Sequence, residues 1–148
     1  MYTNAKISEQ VSVLGTIDPV SQGVGSVTTS WIPVSGHERL MALIQTGVLG
    51  ASATVDAKLL QAKDASGTGS KDVTSKAIAQ IVKASGDNKQ ALINLRAEEL
   101  DTNGGFSYVA LSITVGAAAS LVGGSVLGAV ARQYPASLSN QAGVAQIV

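Results

Sequence analysis

The sequence predicts an all-β protein: an antiparallel β-sandwich, an eight-stranded jelly roll by strand count, with extended terminal arms. Three observations predict it. Apolar and polar residues alternate with period two in several segments, which is strand spacing rather than helix spacing. Ala, Val, Ser, Thr and Gly dominate, and small or β-branched side chains suit a closely packed pleated sandwich. Turn residues recur at short intervals with no repeating helical pattern between them.

The chain opens with a polar arm over residues 1–10, MYTNAKISEQ, which lacks the apolar core of a secretory signal. QVSVLGTI (10–17) reads as a strand, Asp18-Pro19 as a turn, and SQGVG as a Gly-rich loop. SVTTSWIPV (26–34) alternates and stops at Pro33; proline cannot donate to a ladder, so this is a strand end or an edge. HERLMALIQTG (37–47) is apolar on both faces between Leu40 and Ile44, as in a central strand. In ASATVDAKLLQAKD, Ala53, Val55, Ala57 and Leu59 alternate with Thr54, Asp56 and Lys58, which predicts a strand.

ASGTGSKD (65–72) is a flexible loop, and VTSKAIAQIVKA (73–84), which fits both periods, reads as a strand from its surroundings. SGDN (85–88) turns the chain into KQALINLRAEELDTNGGFSYVALSITVG (89–116). There Ala91, Ile93, Leu95 and Ala97 form one apolar face, and Val109, Leu111, Ile113 and Val115 another. The residues between them, Asp101 to Gly105, accept positive φ cheaply, so the stretch is expected to be a hairpin. After AAASLVGG the last strand is SVLGAVARQY (125–134), with Gly128 as a bulge or a close-packing site. PASLSNQAGVAQIV (135–148) is a tail with an apolar end. One sandwich domain over 11–134, flanked by the arm and the tail, is the expected organisation.

Composition narrows the function classes. The 148 residues carry ten basic and ten acidic side chains with no basic cluster, so a phosphate backbone would meet no electrostatic drive. There is no Cys, which removes disulfides and thiolate metal sites. The uncharged stretch from Thr102 to Ala131 is long enough to span a bilayer and holds Gly124 and Gly128 at GxxxG spacing. Its paired glycines and its period of two argue for strands instead.

His37 is the single histidine, and HERLM lacks the second His of a zinc helix. A surface histidine starting a strand is the expectation, with no catalytic set, cofactor or metal. GTGSKD (67–72) misses the phosphate-loop spacing, and Asp64 and Asp72 lack the alternating ligands of a calcium loop. Glu98, Glu99 and Asp101 form an acidic cluster beside Arg96, either an exposed strand end or a patch facing a partner.

Taken together, SGHERLMALIQTG, SATVDAKLLQAKDASGTGSKDVT, KQALINLRAEELD and GGFSYVALSITVG resemble the jelly-roll capsid cement (decoration) proteins of tailed bacteriophages, as on Bordetella-type podophage heads. The resemblance covers residues 30–134. It implies a non-enzymatic virion protein, made in the host cytoplasm, that binds the outside of an HK97-like shell of major capsid protein. It also implies a homo-oligomer, with a dimer favoured over a trimer, and no direct contact with nucleic acid or membrane. Candidate partner contacts are Met1, Tyr2 and Thr3 of the arm, Val144, Ile147 and Val148 of the tail, and Glu98 and Glu99. A carbohydrate-binding β-sandwich, such as a fibre head or lectin-like module, and a head–tail connector or tail component are the alternatives.

Overall fold

A computed structural model describes residues 3–148. The described residues form ten strands: β1 (Val11–Gln22), β2 (Gly25–Thr28), β3 (Ile32–Pro33), β4 (His37–Thr46), β5 (Thr54–Ala62), β6 (Lys71–Ala77), β7 (Ile81–Val82), β8 (Gln90–Arg96), β9 (Tyr108–Gly116) and β10 (Ser120–Ala131). Two single helical turns, α1 (Ile7–Gln10) and α2 (Lys83–Gly86), accompany them. One sheet has the order β1-β10-β4-β8; the other runs β2-β9-β5-β6, with β3 also on β9 and β7 also on β5. Every pairing is antiparallel.

The protein is therefore an antiparallel β-sandwich, with ten strands in place of the expected eight. The segment 26–34 is broken because the buried Thr29 turns its hydroxyl onto the backbone: it accepts from the Leu111 amide (3.1 Å) and donates to the Ser30 carbonyl (3.0 Å). The segment 73–84 holds β6, β7 and α2, with Ser75 at positive φ interrupting the ladder.

Alternation decides which side chains meet between the sheets. Leu40, Ala42, Ile44, Ile93, Leu95, Val122 and Val126 from the four-stranded sheet face Val55, Ala57, Leu59, Val109, Leu111, Ile113 and Val115 from the other. Gly124 lets the layers approach: a Cβ there would lie 2.8 Å from Leu111 Cδ2.

Several expectations are corrected. Residues 89–116 are not a hairpin: β8 pairs with β4 and β9 pairs with β5, so the two strands belong to different sheets. The connection carries Leu100 and Phe106, both buried, across the end of the sandwich. Its glycine turn closes on Asp101, whose carboxylate accepts from the Gly104 amide (2.9 Å), rather than on a neighbouring strand. Asp18-Pro19 is no turn; it forms a bulge within β1, where a missing N–H costs no ladder bond. The last strand begins at Ser120, five residues before the expected 125, with Gly123 and Gly124 inside it.

Part of each terminal segment is folded rather than extended. On the N-terminal side, Ile7–Gln10 forms α1. Past Pro135, residues Ala136–Ser139 make a 3₁₀ turn with Ala136 buried. Beyond that turn, Asn140 Oδ1 accepts from the Val13 amide (2.8 Å), and the Gln141 amide donates to the Val13 carbonyl (2.8 Å). The tail thereby covers one edge of the four-stranded sheet, satisfying groups that would otherwise invite pairing.

Candidate docking surface

The two outer faces of the sandwich differ in chemistry. On the six-stranded sheet, register brings Ser26, Thr114 and Asp56 into one row and Thr28, Ser112 and Lys58 into the next. These side chains bond to one another or to near neighbours. Ser26 and Thr114 share a hydrogen bond of 2.7 Å, Thr28 donates to Ser112 (3.4 Å), Gln80 donates to Asp56 (2.8 Å), and Lys58 pairs with Asp72 (2.8 Å). This face is polar and internally satisfied.

On the four-stranded sheet the rows read across β1, β10, β4 and β8. Val13, Leu127, Met41 and Asn94 make one, and Thr16, Ser125, Leu43 and Leu92 the next. Gly123, Gln45 and Gln90 follow on three strands. These three rows carry no charged side chain; Arg39 and Arg96 make the next row, directly opposite each other at one end. Leu92 is 56% exposed and Leu121 45% exposed, while Met41, Leu43 and Leu127 are half-buried against their neighbours. A groove of about 420 Å³ lies at the far end, between Pro19, Val20, Gln45 and Leu121, floored by Gly123. A contiguous apolar surface with a polar rim is what protein–protein contact sites present.

The residues singled out from the sequence lie elsewhere. Met1 and Tyr2 fall outside the described residues, and Thr3 is exposed in a turn before α1. Val144 is half-buried, while Ile147 and Val148 are exposed. Glu98 and Glu99 sit in a 3₁₀ turn, Ala97–Glu99, not on a strand. Arg96 Nη1 lies 3.5 Å from Glu98, so the two are neighbours through the turn rather than by sharing a strand face. Lysines from β6 meet the other carboxylates: Lys76 lies 2.9 Å from Glu99 and Lys71 2.6 Å from Asp101. The Arg96 backbone amide, then Lys76, holds the Glu99 carboxyl below the usual carboxylate range, and Lys71 does the same for Asp101. The acidic cluster is thus engaged within the chain.

His37 begins β4 as expected but is buried, 2% exposed, not on the surface. Its ring lies against Gly128, where a Cβ would come within 2.6 Å of Cδ2. Ser12 Oγ donates to the Ala136 carbonyl (2.5 Å) and lies 2.9 Å from His37 Nε2. With the hydroxyl proton given to the carbonyl, Nε2–H is the donor to Ser12, so the pair is an internal brace and not a base beside a nucleophile. Burial pushes the imidazole below its usual value. Trp31 is half-buried against the 65–70 loop, where a Cβ on Gly67 would touch its indole. Asp64 spends one carboxylate oxygen on the Ser66 and Thr68 amides (2.9 and 3.1 Å). Among the described residues, no three His, Cys, Asp or Glu side chains converge to hold a metal ion. No helix among them is long and apolar enough to cross a membrane.

The apolar outer face was not singled out from the sequence, although a signal for it existed. The two-sided apolar run from Leu40 to Ile44 places Met41 and Leu43 on the side away from the core.

No protein-family model matches the chain, and no curated protein matches it. Among solved structures it is similar to the SPBc2 prophage-derived protein YomS, with TM-score 0.46 and 10% identity over 80% of this chain and 93% of that one. It is also similar to the CBM22-1 xylan-binding domain of Paenibacillus barcinonensis Xyn10C, with TM-score 0.42 and 14% identity over 85% and 92%. The empty capsid of Triatoma virus gives TM-score 0.43 and 11% identity over 82% and 88%. The solved structures similar to this chain thus include a prophage-derived protein, a viral capsid protein and a carbohydrate-binding module. At these identities and TM-scores, none of the likenesses carries a functional argument.

Proposed function

We propose that the protein is a non-enzymatic virion structural subunit, a cement or decoration protein on the outside of a tailed-phage head. In this reading it works as a homo-oligomer, with a dimer favoured, and bridges neighbouring major capsid proteins of an HK97-like shell. The observation that carries the reading is the asymmetry of the two outer faces. One is polar and bonded to itself; the other presents an exposed Leu92 beside the half-buried Met41, Leu43 and Leu127.

A surface of this kind is suited to being covered by another protein. Modest contacts suffice when many copies attach to one lattice, because linked attachments act at high effective concentration. Counting β2 with β3 and β6 with β7 as interrupted strands gives about eight strands, four to a sheet, in keeping with a jelly roll.

The test is reconstitution. Purified protein is mixed with phage heads lacking it and sedimented, and the heads are then heated. Co-sedimentation with a gain in heat resistance is expected; no binding, or binding without that gain, overturns the reading.

A further inference from the structure

Arg39 on β4 and Arg96 on β8 are register partners, and like charges directly opposite each other on adjacent strands cost stability. Arg96 has Glu98 near it, at 3.5 Å. Arg39 does not share such a partner: it donates to the carbonyl of Glu38 (3.3 Å), and among the described residues it has no carboxylate within ion-pair distance. Both arginines line a cleft of about 450 Å³, together with Leu40, Leu95, Asn94, Lys76 and Glu99. Glu99 is already engaged by Lys76 and by the Arg96 amide (2.7 Å), so it is not free to swing to Arg39. Lys76 is paired with Glu99, and Arg96 lies near Glu98, which is outside the cleft lining, so Arg39 is the lining cation left without a carboxylate.

We infer that this cleft is a carboxylate-binding site that receives one Asp or Glu side chain from the contact segment of a partner protein. Its position supplies the second half of the argument. Arg39 and Arg96 flank the row that holds Met41 and Asn94, with Leu43 and Leu92 one row further. A segment gripped by the arginines therefore lays its neighbouring residues on apolar surface. One carboxylate supplies the ionic partner that Arg39 lacks. Guanidinium groups also bind planar carboxylates in a two-pronged geometry. The inference rests on the reading of this face as a protein-docking surface.

The probes are a capped peptide with one glutamate among leucines and serines, the same peptide with glutamine, and inorganic phosphate. Each is titrated into isotope-labelled full-length protein while the Arg39 and Arg96 Nε–H signals are followed by NMR. The glutamate peptide is expected to shift both signals saturably and to bind about 10-fold or more tightly than the glutamine peptide, the scale of one charge-assisted hydrogen bond. Arg39→Gln is expected to erase that preference while leaving the melting temperature equal or higher, because it relieves the like-charge pair.

Equal binding of the two peptides, no binding of either, preferential binding of phosphate, or a destabilised Arg39→Gln protein each overturns the inference. Sedimentation with phage heads separates its failure from that of the functional reading. Wild-type protein that binds heads while the peptides fail removes the cleft alone; wild-type protein that ignores heads removes the functional reading.

Discussion

Replacing Gly124 by alanine puts one methyl group where the two sheets come closest. The new Cβ would stand 2.8 Å from Leu111 Cδ2, 3.2 Å from the Leu43 carbonyl oxygen and 3.3 Å from Ile113 Cδ1. Leu111 and Ile113 are fully buried, so neither has solvent to move into. Overpacking of this kind costs about 1–3 kcal/mol, and the lower entropy of an unfolded alanine chain returns about 0.4–1 kcal/mol. The net loss, about 1.3 kcal/mol at the middle of both ranges, lowers the melting temperature by about 3–5 °C for a domain of this size.

Gly23→Ala is the control, since no atom lies within 4 Å of its added Cβ and its φ is not positive. The assay is thermal unfolding followed by circular dichroism. Adding Leu111→Ala to Gly124→Ala vacates the space the methyl needs, so the pair is expected to cost less than the sum of the singles. If Gly124→Ala melts with wild type and Gly23→Ala, or if the double variant is strictly additive, the sheets do not meet at this point and the account of the core fails.

The buried His37 gives a pH dependence with a definite sign. Its imidazole titrates below the ordinary 6.5 because burial disfavours the charged form, so the unfolded chain binds the proton more readily than the folded one. Stability is expected to be full above about pH 6.5 and to fall as pH drops from there toward the folded-state value. The lowered carboxyls of Asp64, Asp87, Glu99 and Asp101 act below about pH 5, so the window above it belongs to the histidine. Urea midpoints at pH 7.5 and 5 test this: His37→Gln should flatten the difference, and an unchanged slope in that variant contradicts the assignment. Thr29→Val removes the acceptor of the buried Leu111 amide and is expected to cost about 1–3 kcal/mol; a midpoint equal to wild type would mean that the hydroxyl is not bearing on the β2–β3 break.

How much of this was legible in the sequence depends on whether the signal is local. The alternation in 53–59, 91–95 and 109–115 is a property of neighbouring residues, and it places Val55, Leu95 and Leu111 in the core as read. Pairing is not local. Nothing within 89–116 says that its two strands face each other across the sandwich instead of lying side by side. The clue was Leu100 and Phe106, single apolar residues in a turn-rich segment that close the end of the core.

Proline and glycine misled where a bulge or a close approach had taken the place of a turn, at Asp18-Pro19 and at Gly123-Gly124. His37 was expected at the surface because its burial depends on Gly128, distant in sequence and adjacent only through the β10–β4 pairing. Arg39 and Arg96 are ordinary exposed residues one at a time; only the register makes them a pair. The outer face was partly legible, since the two-sided run in β4 and the uncharged stretch through β10 supply most of its apolar side chains.

The central claim is that the outer face of the four-stranded sheet is where another protein sits. Leu92→Asp tests it most directly, because that side chain is 56% exposed and a charge there costs the folded subunit little. Thr28→Asp, exposed on the edge strand β2 of the polar face and opposite the neutral Ser112, is the matched control. Sedimentation of each variant alone and with phage heads should show Leu92→Asp losing attachment and self-association at an unchanged melting temperature, with Thr28→Asp behaving as wild type. Attachment by Leu92→Asp equal to wild type, or its loss in Thr28→Asp instead, would contradict the account.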